Sequence, residues 1–151
     1  MEYSSVLIAR YIVAMAQDKG LPINMTKVQK LLYIAYGIYL AIKDERLIDE
    51  HPQAWPYGPV FPSTRNTLLK ENFYDIRIDN PEFTELRINA ELNSLLNLVF
   101  NNFGDWTASE LSQWSHTDGS PWEKTVNQED FSWGNRISDE DIKSYFSMII
   151  K

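Results

Sequence analysis

Apolar residues recur at spacings of three and four through the first segment, where Val6, Ala9, Ile12, Val13 and Ala16 share one stripe. Ser4 and Ser5 stand where caps belong and Gly20 where a helix stops, so the pattern predicts an amphipathic helix. After Leu21-Pro22, a second stripe of Val28, Leu31, Leu32, Ala35, Tyr39 and Ile42 is flanked by Tyr33, Tyr36 and Leu40. Such a helix is apolar on more than one side and belongs at the centre of a bundle. Ala35 and Gly37 are small enough to admit a crossing helix.

From Asp44 to Pro62 the periodicity is lost. Prolines at 52, 56, 59 and 62 surround Trp55, Tyr57 and Phe61 and forbid a continuous helix. The stretch reads as a proline-stiffened loop with a short edge strand near 53–55, and a short β-hairpin is expected there. Next come a short helix over 63–70, an alternating Tyr74–Ile78 that permits a strand, and a turn at Asp79-Asn80-Pro81. Leu92, Leu95, Leu96, Val99, Phe100 and Phe103 then form a helical stripe that ends at Gly104. Thr107-x-x-Glu110 and Ser120-x-x-Glu123 are capping boxes, the second with Pro121 at the first helical position, and Ser138-x-x-Asp141 is a weaker one. Short helices are expected near 108–115, 121–127 and 139–149. The expected fold is mainly α: a compact single-domain helical bundle over 1–151, carrying a proline- and aromatic-rich loop.

Composition removes whole classes of chemistry. The chain has no cysteine and two histidines, His51 and His116, which excludes disulfide frameworks, zinc ribbons, iron–sulfur clusters and thiol catalysis. No metal site and no cofactor are expected. The net charge of −7 has the wrong sign for general nucleic-acid binding. Residues 1–100 hold 12 acids against 10 bases, whereas residues 101–151 hold 9 against 4, so the acidity gathers in the last third. Such a surface can steer a basic partner, and it reads equally as a solvated helical face. A basic stretch before an apolar run is missing at the N-terminus and no uncharged apolar run approaches 18 residues, so neither secretion nor membrane insertion is expected. The cytoplasm is the expected compartment.

Candidate chemistry is sparse. The six glycines are isolated, which gives no phosphate cradle. Ser115-His116-Thr117-Asp118 supplies the residue types of a hydrolytic triad, but adjacent residues rarely converge on one reacting centre, and a structural histidine at a helix end is the stronger reading. His51 has no partner at metal-ligand spacing and is expected to be exposed. The Ala54–Pro62 segment packs large aromatic faces around Gly58. It suits a plug over helix ends, with a binding lip as the alternative.

Several segments together resemble the Panacea, or SocA-like antitoxin, domain of bacteria and phages. They are Lys30-Leu31-Leu32-Tyr33-Ile34-Ala35-Tyr36-Gly37, then Ala54-Trp55-Pro56-Tyr57-Gly58-Pro59-Val60, then Leu111, Ser115-His116, Pro121-Trp122, Ile137 and Tyr145-Phe146. The resemblance departs at Tyr36, where the family often has glutamine, and at Ser115, where it often has threonine. It implies a helical protein, not an enzyme, that neutralises a cognate toxin by direct binding, in some relatives as an adaptor that delivers the toxin to a protease. Lys30, Leu31, Leu32, Tyr33, Gly37, Gly58, Pro59, His116, Pro121 and Trp122 are then motif positions expected to hold the fold. Two groups are candidate partner contacts: Trp55, Tyr57 and Phe61 in the loop, and Asp139, Glu140 and Asp141 in the acidic third. The alternative function is a phage or prophage regulator whose acidic surface occupies a basic nucleic-acid-binding protein.

Overall fold

The computed structural model describes residues 2–150. Among them are eight α-helices and one two-stranded antiparallel hairpin. Helix α1 (Ser5–Asp18) begins where the Ser4 hydroxyl accepts from the Leu7 N–H, and Gly20, at φ +70°, turns the chain beyond its end. Helix α2 (Met25–Lys43) starts three residues before the first apolar position of its stripe because Asn24 caps it.

Helix α2 is the axis of the fold. Every residue from 27 to 38 is buried, and α1, α5 (Ala90–Phe103), α6 (Ala108–Ser115) and α8 (Asp139–Ile149) pack around it. The small residue foreseen for a close crossing is Gly37: a Cβ there would lie 2.2 Å from the Phe146 ring of α8. Phe146 also meets Tyr33 edge-on at 5.6 Å. The buried polar side chains of α2 are spent on its neighbours. The Lys27 ammonium donates to the Gly104 carbonyl at 2.7 Å, at the C-terminus of α5. The Gln29 side-chain oxygen accepts from the Phe61 N–H at 2.7 Å.

Helix α3 (Pro62–Leu68) has no side-chain cap of its own, because Phe61 stands at its N-cap. Glu50 does that work from outside, accepting from the Ser63 and Thr64 backbone N–H groups, the Thr64 hydroxyl and, on α1, the Ser5 hydroxyl. The Tyr74–Ile78 strand is not formed. Phe73–Asp75 is a 3₁₀ turn capped by Asn72, and its backbone bonds are local. The expected turn at 79–81 runs into a further 3₁₀ turn, Pro81–Phe83, and α4 (Thr84–Arg87), which the sequence reading omits. The Thr107–Glu110 capping box is made in full. At α7 (Pro121–Val126) Ser120 caps the Glu123 N–H, but the Glu123 carboxylate accepts from Gly119 instead of closing the box.

Candidate partner interface

Strands β1 (Gln53–Trp55) and β2 (Gly58–Val60) pair so that Trp55 faces Gly58, leaving Pro56 and Tyr57 as a two-residue tip. Gly58 is required twice over. Its φ is +114°, and a Cβ there would stand 2.4 Å from the Ser115 hydroxyl and 2.9 Å from the Lys30 Cε. The close approach lets Lys30, itself buried, donate to the Pro59 carbonyl at 3.1 Å. Ser112 of α6 donates to the Tyr57 carbonyl at 2.7 Å, and the Trp122 indole of α7 donates to the Trp55 carbonyl at 2.8 Å. On the other edge, Ala54 exchanges backbone bonds with the 134–135 segment.

Motif residues scattered from 30 to 122 therefore converge on one hairpin and fix it from several sides. The stem behaves as a plug: Ala54, Pro59 and Val60 are buried. Phe61, expected beside Trp55 and Tyr57 at a partner surface, is fully buried and packs on Tyr36 at 5.7 Å, because Gln29 draws its backbone onto α2. The tip is the opposite. Tyr57 is 72% exposed, and Trp55 is half-buried with its ring under the Arg65 guanidinium at 5.5 Å.

His116 follows the last turn of α6, its ring 4.0 Å from that of Trp122. Its Nε2 is buried with no hydrogen-bond partner, and burial, then the Lys30 charge, hold its pKa below the ordinary value. Burial lowers Lys30 to about 8. The Ser115 hydroxyl donates to the Ser112 carbonyl at 2.7 Å, so it is not directed to His116, and Asp118 is exposed. The four consecutive residues do not assemble a nucleophile–base pair. Among the described residues, no group of three or more His, Asp or Glu side chains is placed to hold a metal ion.

The acidic candidates fall into different environments. Asp139 accepts a short hydrogen bond from the Tyr36 hydroxyl and lies 3.9 Å from the His51 Nδ1. His51, expected to be exposed, is half-buried because its Nε2 accepts from Arg46, which also pairs with Glu2 at 3.2 Å. Asp139 thus has a structural role in joining α8 to α2. Glu140 is exposed, and Asp141 is half-buried with its N–H held by Ser138.

Sequence reading missed Phe131 and Trp133. They lie in a turn-rich stretch with no periodicity, yet Trp133 is 55% exposed and stands 6.2 Å from Trp122 and 4.9 Å from Phe131. Trp55, Tyr57, Trp122, Phe131 and Trp133 accordingly surround the hairpin side of the molecule.

Residues 28–123 match the profile of the family described as antitoxin SocA-like, Panacea domain. The chain belongs to this family. The matched span takes in Lys30, Gly37, Gly58, Pro59, His116, Pro121 and Trp122, so the family region coincides with the residues that seat the hairpin, and it stops short of Trp133. The chain is also similar to the antitoxin SocA of Caulobacter vibrioides, with 27% identity over 156 aligned residues covering 92% of this chain and 80% of that one. No solved structure matches. Among the described residues no helix is long and apolar enough to cross a membrane.

Proposed function

We propose that this Panacea-family protein is an antitoxin that neutralises a cognate toxin by binding it directly in the bacterial cytoplasm, with the hairpin tip as a contact. The observation that carries this reading is Tyr57: a large aromatic, 72% exposed, on a turn whose carbonyls and stem are fixed by α2, α6 and α7. Aromatic anchors on preorganised backbone lose little entropy on binding and are favoured at interface hot spots. Family membership and similarity to a named antitoxin support the same reading.

The test is to express the neighbouring open reading frame alone and then with this chain, and to recover the tagged chain from the co-expressing cells. Growth arrest relieved together with a stable complex is the expected result. Relief with loss of the toxin polypeptide, reversed in a protease-deficient host, identifies an adaptor that delivers the toxin to a protease. A harmless neighbour that this chain does not bind overturns the antitoxin reading. A second reading is favoured by the 9 acids against 4 bases of residues 101–151: a regulator whose acidic surface occupies a basic nucleic-acid-binding protein. Recovery of such a protein in a complex that dissolves at high salt is its signature.

A further inference from the structure

Five aromatic side chains belong to the hairpin or to the segments beside it, and four of them, Trp55, Trp122, Phe131 and Trp133, are connected. Trp122 links Trp55, through its indole bond to the Trp55 carbonyl, to Trp133, and Phe131 stands against Trp133. The Trp55 indole in turn donates to Gln53 at 3.0 Å, whose side-chain oxygen is the atom nearest a Cβ built on Gly134. Tyr57 at the tip and Trp133 beside Trp122 are the two members with most of their surface in water. Residues 117–133, which supply three of the five rings, carry four acids, Asp118, Glu123, Glu129 and Asp130, against Lys124 alone. Asp118, Glu129 and Asp130 are exposed. Arg65, on α3, already rests over the Trp55 ring, and Arg136 lies beyond the stretch, in a backbone bridge to Gln53.

We infer that this aromatic face receives arginine or lysine side chains from a basic segment of the protein partner, with the Trp133 and Tyr57 rings as cation–π platforms and the 118–130 acids as its flank. The proposal rests on the reading of this chain as a binding antitoxin and adds the chemistry of the segment it recognises. Aromatic rings draw cations to their faces by their quadrupole, and nearby carboxylates raise the local concentration of a basic segment. The same carboxylates repel a phosphate backbone, which argues against stacked nucleobases as the occupant. Arg65 on Trp55 is an intramolecular example of the contact proposed for the partner.

The five tryptophans provide an internal control. Trp55, Trp122 and Trp133 belong to the face, whereas Trp106 and Trp114 pack on Phe103 at 5.2 and 5.4 Å. The test titrates an arginine–glycine repeat peptide into the full-length ¹⁵N-labelled chain and follows the indole N–H signals. The Trp133 and Trp55 signals are expected to move while those of Trp106 and Trp114 stay, with the movement fading at high salt. Trp133→Ala, with its fold checked by urea unfolding, is expected to weaken the peptide about fivefold, as loss of one such contact would. A glutamate–glycine peptide that moves the same signals equally, movement of all five signals together, or no movement at saturation overturns the proposal. No toxin enters the experiment. A face that takes arginine beside a failed growth assay removes the antitoxin reading alone, and a working antitoxin whose face ignores arginine removes this proposal alone.

Discussion

Two residues of α2 test how closely this fold is packed. Gly37 has ordinary helical conformation, so Gly37→Ala gains about 1 kcal/mol of helix propensity, yet its Cβ must displace the buried Phe146 ring. Overpacking of a rigid ring costs about 1–3 kcal/mol, so the net effect is expected to be destabilising and is read as a lower urea midpoint at unchanged slope. Lys30 sets a pH dependence. Burial lowers its pKa from 10.5 to about 8, so between those values the unfolded chain holds a proton that the folded chain has lost. Stability therefore rises with pH from about 8, by a total on the order of 3 kcal/mol if the whole window is used. Lys27, lowered in the same direction by burial, adds to the slope. Tyr33 and Tyr36, raised by burial, end the rise near pH 10, where their unfolded phenols ionise first. Urea unfolding at stepped pH should show Lys30→Met with a shallower rise than the parent between about pH 8 and pH 10; an identical slope contradicts the buried charge. His116 acts at the other end. Its lowered pKa makes stability fall as pH drops below the ordinary histidine value of 6.5. The sequence marked Lys30 and His116 as motif members, but not that the Lys30 charge reaches the His116 ring, since 86 positions separate them in the chain.

Among the elements, α1, α2, α5 and α8 were legible because each carries a stripe at helical spacing and starts at a capping side chain. Ser4, Thr107, Ser120 and Ser138 all cap in the structure, and Asn24 and Asn89 do so where the apolar stripe alone placed the start late. The strand over 74–78 was misread for a physical reason. Its alternation is real, since Ile76 is buried between the exposed Asp75 and Arg77, but alternation fixes only which side chains face the core. A strand needs a neighbour to pair with, and here the backbone bonds close locally, Ile76 to Phe73 and Asn80 to Arg77. The cap of α3 was invisible because its acid comes from Glu50, outside the helix. Glu50→Ala removes four acceptor contacts at once and leaves the first N–H groups of α3 without their carboxylate. A loss of about 1–3 kcal/mol is expected from thermal or urea unfolding, with Glu50→Gln intermediate because one oxygen remains. An unchanged midpoint in Glu50→Ala contradicts this role.

At the scale of the molecule, the fold separates support from presentation. The core around α2 and the motif residues seat the hairpin, while Tyr57, Trp55 and Trp133 remain outward. The sequence located the hairpin as a candidate and favoured a plug, with a binding lip as the alternative; the stem is buried as a plug is, and Tyr57 at the tip is exposed. It did not reveal that the 131–133 turn joins the same face, because a turn carries no periodic signal that places it beside an element some 75 residues earlier. The acidic third is likewise divided, with Asp139 committed to Tyr36 and Glu140 facing water. The most direct measurement is the affinity of the co-purifying toxin for the parent chain and for Tyr57→Ala by titration calorimetry, with urea unfolding of both. The exposed position predicts a stability change within about 0.5 kcal/mol, and a hot-spot role predicts a loss of about 2 kcal/mol in binding, roughly thirtyfold in Kd. Equal affinity of the two chains for the toxin contradicts the hairpin tip as the contact.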